Sequence, residues 1–236
     1  MSALTRYYEG EDYFAHLTGL DSNRAAGASR NLALHALLGA APAGLDILDA
    51  GCGLGGFSHP LHGANRTTGV DINERCLAAV AEKWGYATLR FDLEEKWPIA
   101  PSSFDLILFG DVLEHLFSTA EVLSRASAAL RPHGRIAIAV PNVGYWRRRL
   151  RLLFRGELAK DHAEHIRFFS PDSLARVARS TGLQAVDYRP YAWNAVSIPR
   201  LPVAFAWGFV VLLRCNGQGN SYSHAPDPGH RSVTAR

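Results

Sequence analysis

Short apolar runs that stop at a glycine or an acid alternate along the chain with longer segments whose apolar residues recur every three or four positions. The first kind has the length of a buried strand, and the second has the period of an amphipathic helix. After a polar, aromatic opening (Tyr7, Tyr8, Tyr13, Phe14), the proline-free, Ala- and Leu-rich stretch 22–38 reads as a helix ended by Gly39. A turn over 40–44 precedes the apolar run Leu45, Ile47, Leu48. This run leads into Asp49-Ala50-Gly51-Cys52-Gly53-Leu54-Gly55-Gly56, which reads as a strand entering a glycine-rich loop. The pattern then predicts a strand over 67–72, a helix over 74–84 and strands over 87–93 and 104–110. A helix over 116–130, with Leu116, Ala120, Leu123 and Leu130 on one face, is closed by Pro132-His133-Gly134 before a strand over 135–140. Ser170-Pro171-Asp172 combines an N-cap, a proline at the first helical position and an acid at the positive helix end, and Gly182 supplies the stop. Two β-rich segments, 184–191 and 205–215, follow. Such alternation predicts an α/β protein with a doubly wound, mostly parallel sheet, helices on both faces and an antiparallel strand pair at its end.

Composition adds limits to that picture. With 236 residues, 47% hydrophobic and 20% charged, the chain can build one core, and disorder and fibrous repeats are excluded as its main character. The expected organisation is a helical cap over 1–44, a principal domain over 45–215 and a disordered Gly-, Ser-, His- and Pro-rich tail over 216–236. Three cysteines, odd in number and widely spaced, fit a reducing compartment better than a disulfide framework. The start has no apolar secretory core, and the longest apolar run, Leu201 to Leu213, is too short to span a bilayer, so a cytoplasmic protein is expected. The net charge is +3, but Arg147, Arg148, Arg149, Arg151 and Arg155 supply five positive charges within nine positions, which leaves 3 − 5 = −2 for the rest. A nucleic-acid footprint is therefore not expected; one concentrated cationic segment is.

In open parallel sheets the chemistry lies just beyond the carboxyl ends of the strands. There, Asp49 and the glycines Gly51, Gly53, Gly55 and Gly56 make a loop whose backbone can approach a ligand closely. Gly51, Gly53 and Gly56 also satisfy the dinucleotide spacing, with Asp71 twenty residues after Gly51 to receive ribose hydroxyls in either case. Asp49 separates the readings: a carboxylate at the loop entrance repels a pyrophosphate and suits a ligand bearing an ammonium and a sulfonium. Asp92 and Leu93 fall where an adenine is hydrogen-bonded and packed, and Phe104 to Gly110 leads into the polar turn Asp111-Val112-Leu113-Glu114-His115.

Asp49-Ala50-Gly51-Cys52-Gly53-Leu54-Gly55, Gly69-Val70-Asp71, and Phe104-Asp105-Leu106-Ile107 through Leu113-Glu114-His115 resemble the motifs of class I S-adenosylmethionine-dependent methyltransferases. The resemblance spans about Leu45 to Cys215 and implies a Rossmann-like fold. The chain resembles the branch that includes ubiquinone-biosynthesis O-methyltransferases and glycan-pathway methyltransferases. The segment Pro141 to Leu150 also resembles a methyltransferase-like protein of methionine biosynthesis that is associated with an acyltransferase partner. The resemblance implies S-adenosyl-L-methionine as cofactor. Asp49 with Gly51, Cys52, Gly53 and Gly55 would hold its methionyl part, Asp71 and Ile72 its ribose side, and Asp92 with Leu93 its adenine. Gly110 and Asp111 would line the pocket near the sulfonium. Arg30, with Arg24 as an equal candidate, would meet the cofactor carboxylate.

For an acceptor hydroxyl the base candidates are His115, His162 and His165, and the His165-Ile166-Arg167-Phe168-Phe169 segment favours His165. His162 and His165 have metal-ligand spacing but no third ligand in the sequence, so no metal is expected. The functional expectation is methyl transfer to a hydroxyl of a small molecule, sugar or glycan. A catalytically silent cofactor-binding partner of another enzyme shares every cofactor residue with that reading, and a nucleotide-dependent oxidoreductase is the third class. The segment Trp146 to Arg155 is expected to be a lid helix that packs by Trp146, Leu150, Leu153 and Phe154, with Arg148, Arg151 and Arg155 opposite. Its arginines have no acid within the segment, and an anionic acceptor, membrane or partner surface would relieve them.

Overall fold

The computed structural model describes residues 3–21, 24–39, 42–156, 165–192 and 201–216. His162 and residues 217–236, for which a disordered tail is expected, lie outside them. Seven strands form one sheet: β1 (Asp46–Ala50), β2 (Arg66–Asp71), β3 (Ala87–Arg90), β4 (Phe104–Gly110), β5 (Leu130–Pro141), β6 (Leu183–Tyr191) and β7 (Gly208–Cys215). Their order is β3-β2-β1-β4-β5-β7-β6. Strands β1 to β5 pair in parallel, whereas β7 runs antiparallel to both β5 and β6. The strand order reverses between β1 and β4, which opens a crevice at their carboxyl ends.

The sheet is buried on both faces because its central strands are apolar at consecutive positions. Ile107 and Phe109 of β4 and Ile136 and Ile138 of β5 join one core cluster, under α6 (Thr119–Ala129) and α8 (Pro171–Ser180). Leu106, Leu108, Ala137 and Ala139 join the other, with Ala33, Leu34 and Leu38 of α3 (Arg24–Leu38). Alternation of isoleucine and alanine along β5 thus fills one face and leaves close-approach room on the other. A third cluster holds Leu77 and Val80 of α5 (Glu74–Trp84) against Cys52 and Tyr86.

Local sequence explains most boundaries. Asn73 caps α5 by accepting from the Arg75 and Cys76 amides, and Gly85 ends it in the left-handed region. Ser170 and Ser173 form a reciprocal capping box at α8. Other boundaries differ from expectation. Strand β3 ends at Arg90 because Asp92 closes a turn, accepting the Glu94 amide on Oδ1 and the Glu95 amide on its carbonyl. The helix expected from 116 begins at Thr119, since Leu116 is extended after a single 3-10 turn, Leu113–His115. Pro132-His133-Gly134 lies within β5, which absorbs it through a register irregularity and a left-handed His133. Phe205 belongs to a 3-10 turn, and β7 starts at Gly208. The aromatic opening folds as two helices, α1 (Ala3–Glu9) and α2 (Glu11–Asp21), and a short α4 (His59–His62) follows the glycine loop.

One expectation is reversed. In α7 (Trp146–Arg155), Arg148 is the buried side chain, while Trp146, Leu150, Leu153 and Phe154 face outward. No helix among the described residues is long and apolar enough to cross a membrane, and the run Leu201 to Leu213 largely supplies β7.

Phe109 is fully buried where β4 meets α6 and α8, so Phe109→Ala should destabilise by about 3–5 kcal/mol. Val186→Ala, at an exposed position of β6, should stay within about 0.5 kcal/mol. Urea titration with an unchanged slope checks both.

Candidate functional site

Four carboxylates and the glycine loop meet where β1, β2 and β4 end. Gly51, Gly53 and Gly55 all have positive φ. A Cβ on Gly51 would lie 2.7 Å from Val112 Cγ2, so the loop seats directly on the turn after β4. The Gly51 and Cys52 amides both bond the Val70 carbonyl. Asp71 joins the two strand ends: its Oδ2 accepts the Gly53 amide and its Oδ1 the Asn73 amide, both at 2.9 Å. Burial pushes the Asp71 carboxyl up, and these amides oppose that shift.

Asp49 is buried beneath the loop. Ser58 Oγ donates to it at 2.5 Å and also contacts the Tyr86 hydroxyl at 2.7 Å. Burial raises its carboxyl to about 6, against the Ser58 bond and the Arg30 charge. Arg30 leaves α3 to pair with Asp111, and its guanidinium lies 4.9 Å from the Phe57 ring centre. Burial, the largest single influence, lowers the Arg30 pKa, but the charges of Asp111, Tyr191 and Asp49 and the Asp111 hydrogen bond together outweigh it and the net shift is upward. Asp111 itself is left-handed and is fixed by its amide on the Ala139 carbonyl.

Next along the same turn, Glu114 is fully buried and neither carboxyl oxygen has a hydrogen-bond partner. Burial, then the charge of Asp111, raises its pKa well above the carboxylate range. Its backbone carbonyl receives the amides of Ile166 and Arg167, which brings His165 beside it. The His115 and His165 rings stand edge to face, 4.7 Å apart. Ligand atoms of Glu114, His115 and His165 all lie within 4.8 Å of one another. Tyr8 from α1 meets His115 Nδ1 at 2.8 Å, and Tyr7, Tyr8 and Tyr13 pack as a cluster of edge-to-face rings. Asn73 Nδ2 holds α1 in place by donating to the Tyr8 and Gly10 carbonyls.

The structure therefore gathers Asp49, Gly51, Gly53, Gly55, Asp71, Asp111 and Arg30 at one crevice, with His115 and His165 beside it. Gly110 ends β4 in contact with Phe57, where a Cβ would lie 2.8 Å away, and Ile72 is half-buried after β2. Two other candidates turn elsewhere. The Cys52 side chain packs inward with Leu77 and Val80, leaving its backbone to the loop, and burial raises its thiol pKa. Leu93 points into the main core, while Asp92 stays partly exposed in its turn. The sequence pattern gave no role to Ser58, Tyr86 or Tyr8, and it placed Arg148 on the outward cationic face of α7, whereas the side chain is buried. Glu114 had a signal in its place beside His115; Tyr8 had none.

A family model described as a methyltransferase domain matches residues 20–188. A ubiquinone biosynthesis O-methyltransferase from a Methylobacterium strain is 33% identical over 165 residues, 66% of this chain and 66% of that protein. A protein of Mycolicibacterium smegmatis described as a probable S-adenosylmethionine-dependent methyltransferase is 33% identical over 101 residues, 42% of this chain and 39% of its own length. The matched segments thus span from about two fifths to just under two thirds of these relatives. Among solved structures, a Burkholderia thailandensis 1,6-didemethyltoxoflavin-N1-methyltransferase with bound S-adenosylhomocysteine is similar at a TM-score of 0.60 and 25% identity, covering 84% of this chain and 82% of that one. A SAM-dependent methyltransferase from Thermotoga maritima shares the fold at a TM-score of 0.65 and 20% identity, with 82% and 91% covered.

The raised Asp49 carboxyl has a measurable sign. Between about pH 4 and about pH 6 the unfolded chain ionises this group while the folded chain keeps it protonated, so its contribution to stability is lost as pH rises through that window. Two pKa units correspond to about 3 kcal/mol. Asp49→Asn should remove that component, and chemical denaturation from pH 4 to 7 should show the variant gaining on the parent as pH rises.

Proposed function

Since the chain belongs to the S-adenosylmethionine-dependent methyltransferase family, we propose that it methylates a hydroxyl of a small aromatic, sugar or glycan acceptor. S-adenosylmethionine supplies a methyl group already activated on a sulfonium, so the protein's task is largely alignment. The residues present suit that cofactor. Asp49 and Asp111 face one guanidinium, Arg30, Asp71 lies close to Asp49, and burial raises both Asp49 and Asp71; an ammonium and a sulfonium would relieve them. Asp49 and the loop Gly51 to Gly55 would hold the methionyl part, Asp71 the ribose and Asp92 the adenine. Arg30 would meet the carboxylate, sharing its charge with Asp111. Arg24 opens α3, but its side chain lies outside what the structure describes. A pyrophosphate in the same crevice would meet carboxylates, which counts against the oxidoreductase reading.

The convergence of His165 and His115 beside this crevice carries the hydroxyl reading. A hydroxyl must lose its proton as it attacks, and an imidazole is suited to receive it near neutral pH. His165 is the proposed base. Tyr8 positions His115, and Glu114, held toward its neutral form, faces both rings. The Tyr7, Tyr8 and Tyr13 cluster on the same side suits an aromatic or sugar ring. The ubiquinone O-methyltransferase similarity agrees with a hydroxyl acceptor. A second reading rests on the trio Glu114, His115 and His165, a different set from the His162 and His165 pair of the sequence, since His162 lies outside the described residues. The trio could bind a divalent cation that acidifies the acceptor hydroxyl.

His165→Ala should lower turnover by about 10²- to 10⁴-fold while leaving cofactor affinity within about threefold. Release of S-adenosylhomocysteine across a panel of phenols, sugars and amines, alongside calorimetry of cofactor binding, checks this. Preferred methylation of amines, or undiminished turnover in the variant, sinks the hydroxyl-base reading. Activity lost to a chelator and restored by a divalent cation favours the metal reading.

Cofactor affinity should rise as pH increases from about 5 to about 7, because the cofactor's positive groups favour ionised Asp49, whose carboxyl sits at about 6. Calorimetry over that range should show the rise in the parent, and Asp49→Asn should flatten it.

A further inference from the structure

Helix α7 carries its apolar face toward solvent. Leu153 and Phe154 are 75% and 78% exposed, and Trp146, Leu150 and Leu152 are 39%, 42% and 46% exposed. Trp146, Leu150 and Leu153 stand at i, i+4 and i+7, so they form one continuous stripe with Phe154 at its edge. The helix is held this way round by its one buried side chain. Arg148 turns inward, donates to the Asn142 carbonyl at 2.9 Å and lies 4.5 Å from the Trp207 ring centre. Asn142 is itself fixed by bonds to the Val203 and Ala206 carbonyls and to the Gly144 amide. Rotating α7 to bury the leucines would expel Arg148 from this cage.

The remaining arginines border the stripe. On the helical projection Arg149 lies along one margin, and Arg147 and Arg151 lie along the other. Among the described residues, none of Arg147, Arg149, Arg151 and Arg155 forms an ion pair. The Arg147 guanidinium lies instead 5.4 Å from the Trp146 ring centre. An apolar stripe with tryptophan and phenylalanine, bordered by arginines, is the pattern of a helix that lies in the headgroup layer with its apolar side toward the acyl chains.

We propose that α7 docks the protein on an anionic lipid bilayer, its Trp146-Leu150-Leu153-Phe154 stripe entering the interface while Arg147, Arg149 and Arg151 engage lipid phosphates. Charge complementarity selects the occupant. A neutral apolar partner would leave the bordering arginines unmatched, and the five arginines of α7 stand against a net charge of −2 on the rest of the chain. The proposal does not depend on methyl transfer to a hydroxyl, since vesicle binding is read without turnover.

The test is co-sedimentation of the full chain with phosphatidylcholine vesicles and with vesicles containing phosphatidylglycerol, over a salt series. The parent should bind only the anionic vesicles and lose affinity as salt rises. Arg147→Glu/Arg151→Glu should weaken binding by at least roughly fivefold per arginine. Leu153→Asp/Phe154→Asp should abolish it while leaving S-adenosylmethionine affinity unchanged, and that affinity serves as the control for folding. If the aspartate variant fails to fold, Leu153→Ala/Phe154→Ala, which keeps helix propensity, should still weaken binding by about tenfold or more. Equal binding to both vesicle types, or none to either, overturns the proposal. Self-association of the parent without vesicle binding, lost in Leu153→Ala/Phe154→Ala, would assign the stripe to an interface between copies instead.

Discussion

The site depends on one side chain that ties two strand ends together. Asp71 accepts the Gly53 amide on one oxygen and the Asn73 amide on the other, so the loop after β1 and the helix start after β2 share one buried acceptor. Without it, two amide donors at a buried corner would be left unpaired, and each such loss costs about 1–3 kcal/mol. Asn73 continues the chain of dependence, since its side chain caps α5 and also carries α1 on its amide nitrogen. The glycine loop, α1 and the start of α5 are therefore positioned by two residues, Asp71 and Asn73, at and just beyond a single strand end.

Charge is arranged around that corner in an unbalanced way. Asp49, Asp71 and Glu114 are each pushed toward their neutral forms by burial, and Arg30 is committed to Asp111. Buried acids normally acquire partners in the folded chain. At the mouth of a crevice between β1 and β4, a surplus of acid is suited to a cationic ligand, and the family to which the chain belongs uses one. The two sides of the crevice differ in kind: Asp49, Asp71 and the glycine backbone lie toward β1 and β2, and Asp111, Glu114, the histidines and Tyr8 toward α1 and the turn after β4.

Helix α7 shows how a single polar contact can override an amphipathic pattern. Burying Leu153 and Phe154 would recover roughly 1.5–3 kcal/mol apiece. The structure instead buries the guanidinium of Arg148, because the Asn142 carbonyl and the Trp207 ring offer it a hydrogen bond and a cation–π contact at the base of the helix. The apolar side is then left to whatever the protein meets.

Local features follow from the residues alone. The strand–loop runs at Asp49 to Gly56 and Phe104 to Glu114, the capping signal at Ser170, and the glycine stops at Gly39 and Gly182 are set by backbone preference and by hydrogen bonds within a few residues. Those elements, the sheet class and the strand-end acids were therefore legible. Which distant groups meet is settled by the packing of the whole chain. Nothing near Arg30 marks Asp111 as its partner, 81 residues away. Nothing in the opening segment marks Tyr8 for His115, and the Glu114, His115 and His165 cluster exists because the backbone at 166 and 167 bonds back to Glu114. The same holds for the orientation of α7. A periodic pattern gives two faces, but which one turns inward depends on the polar groups waiting beneath the helix, and these come from Asn142 and Trp207, brought together by the pairing of β5 with β7.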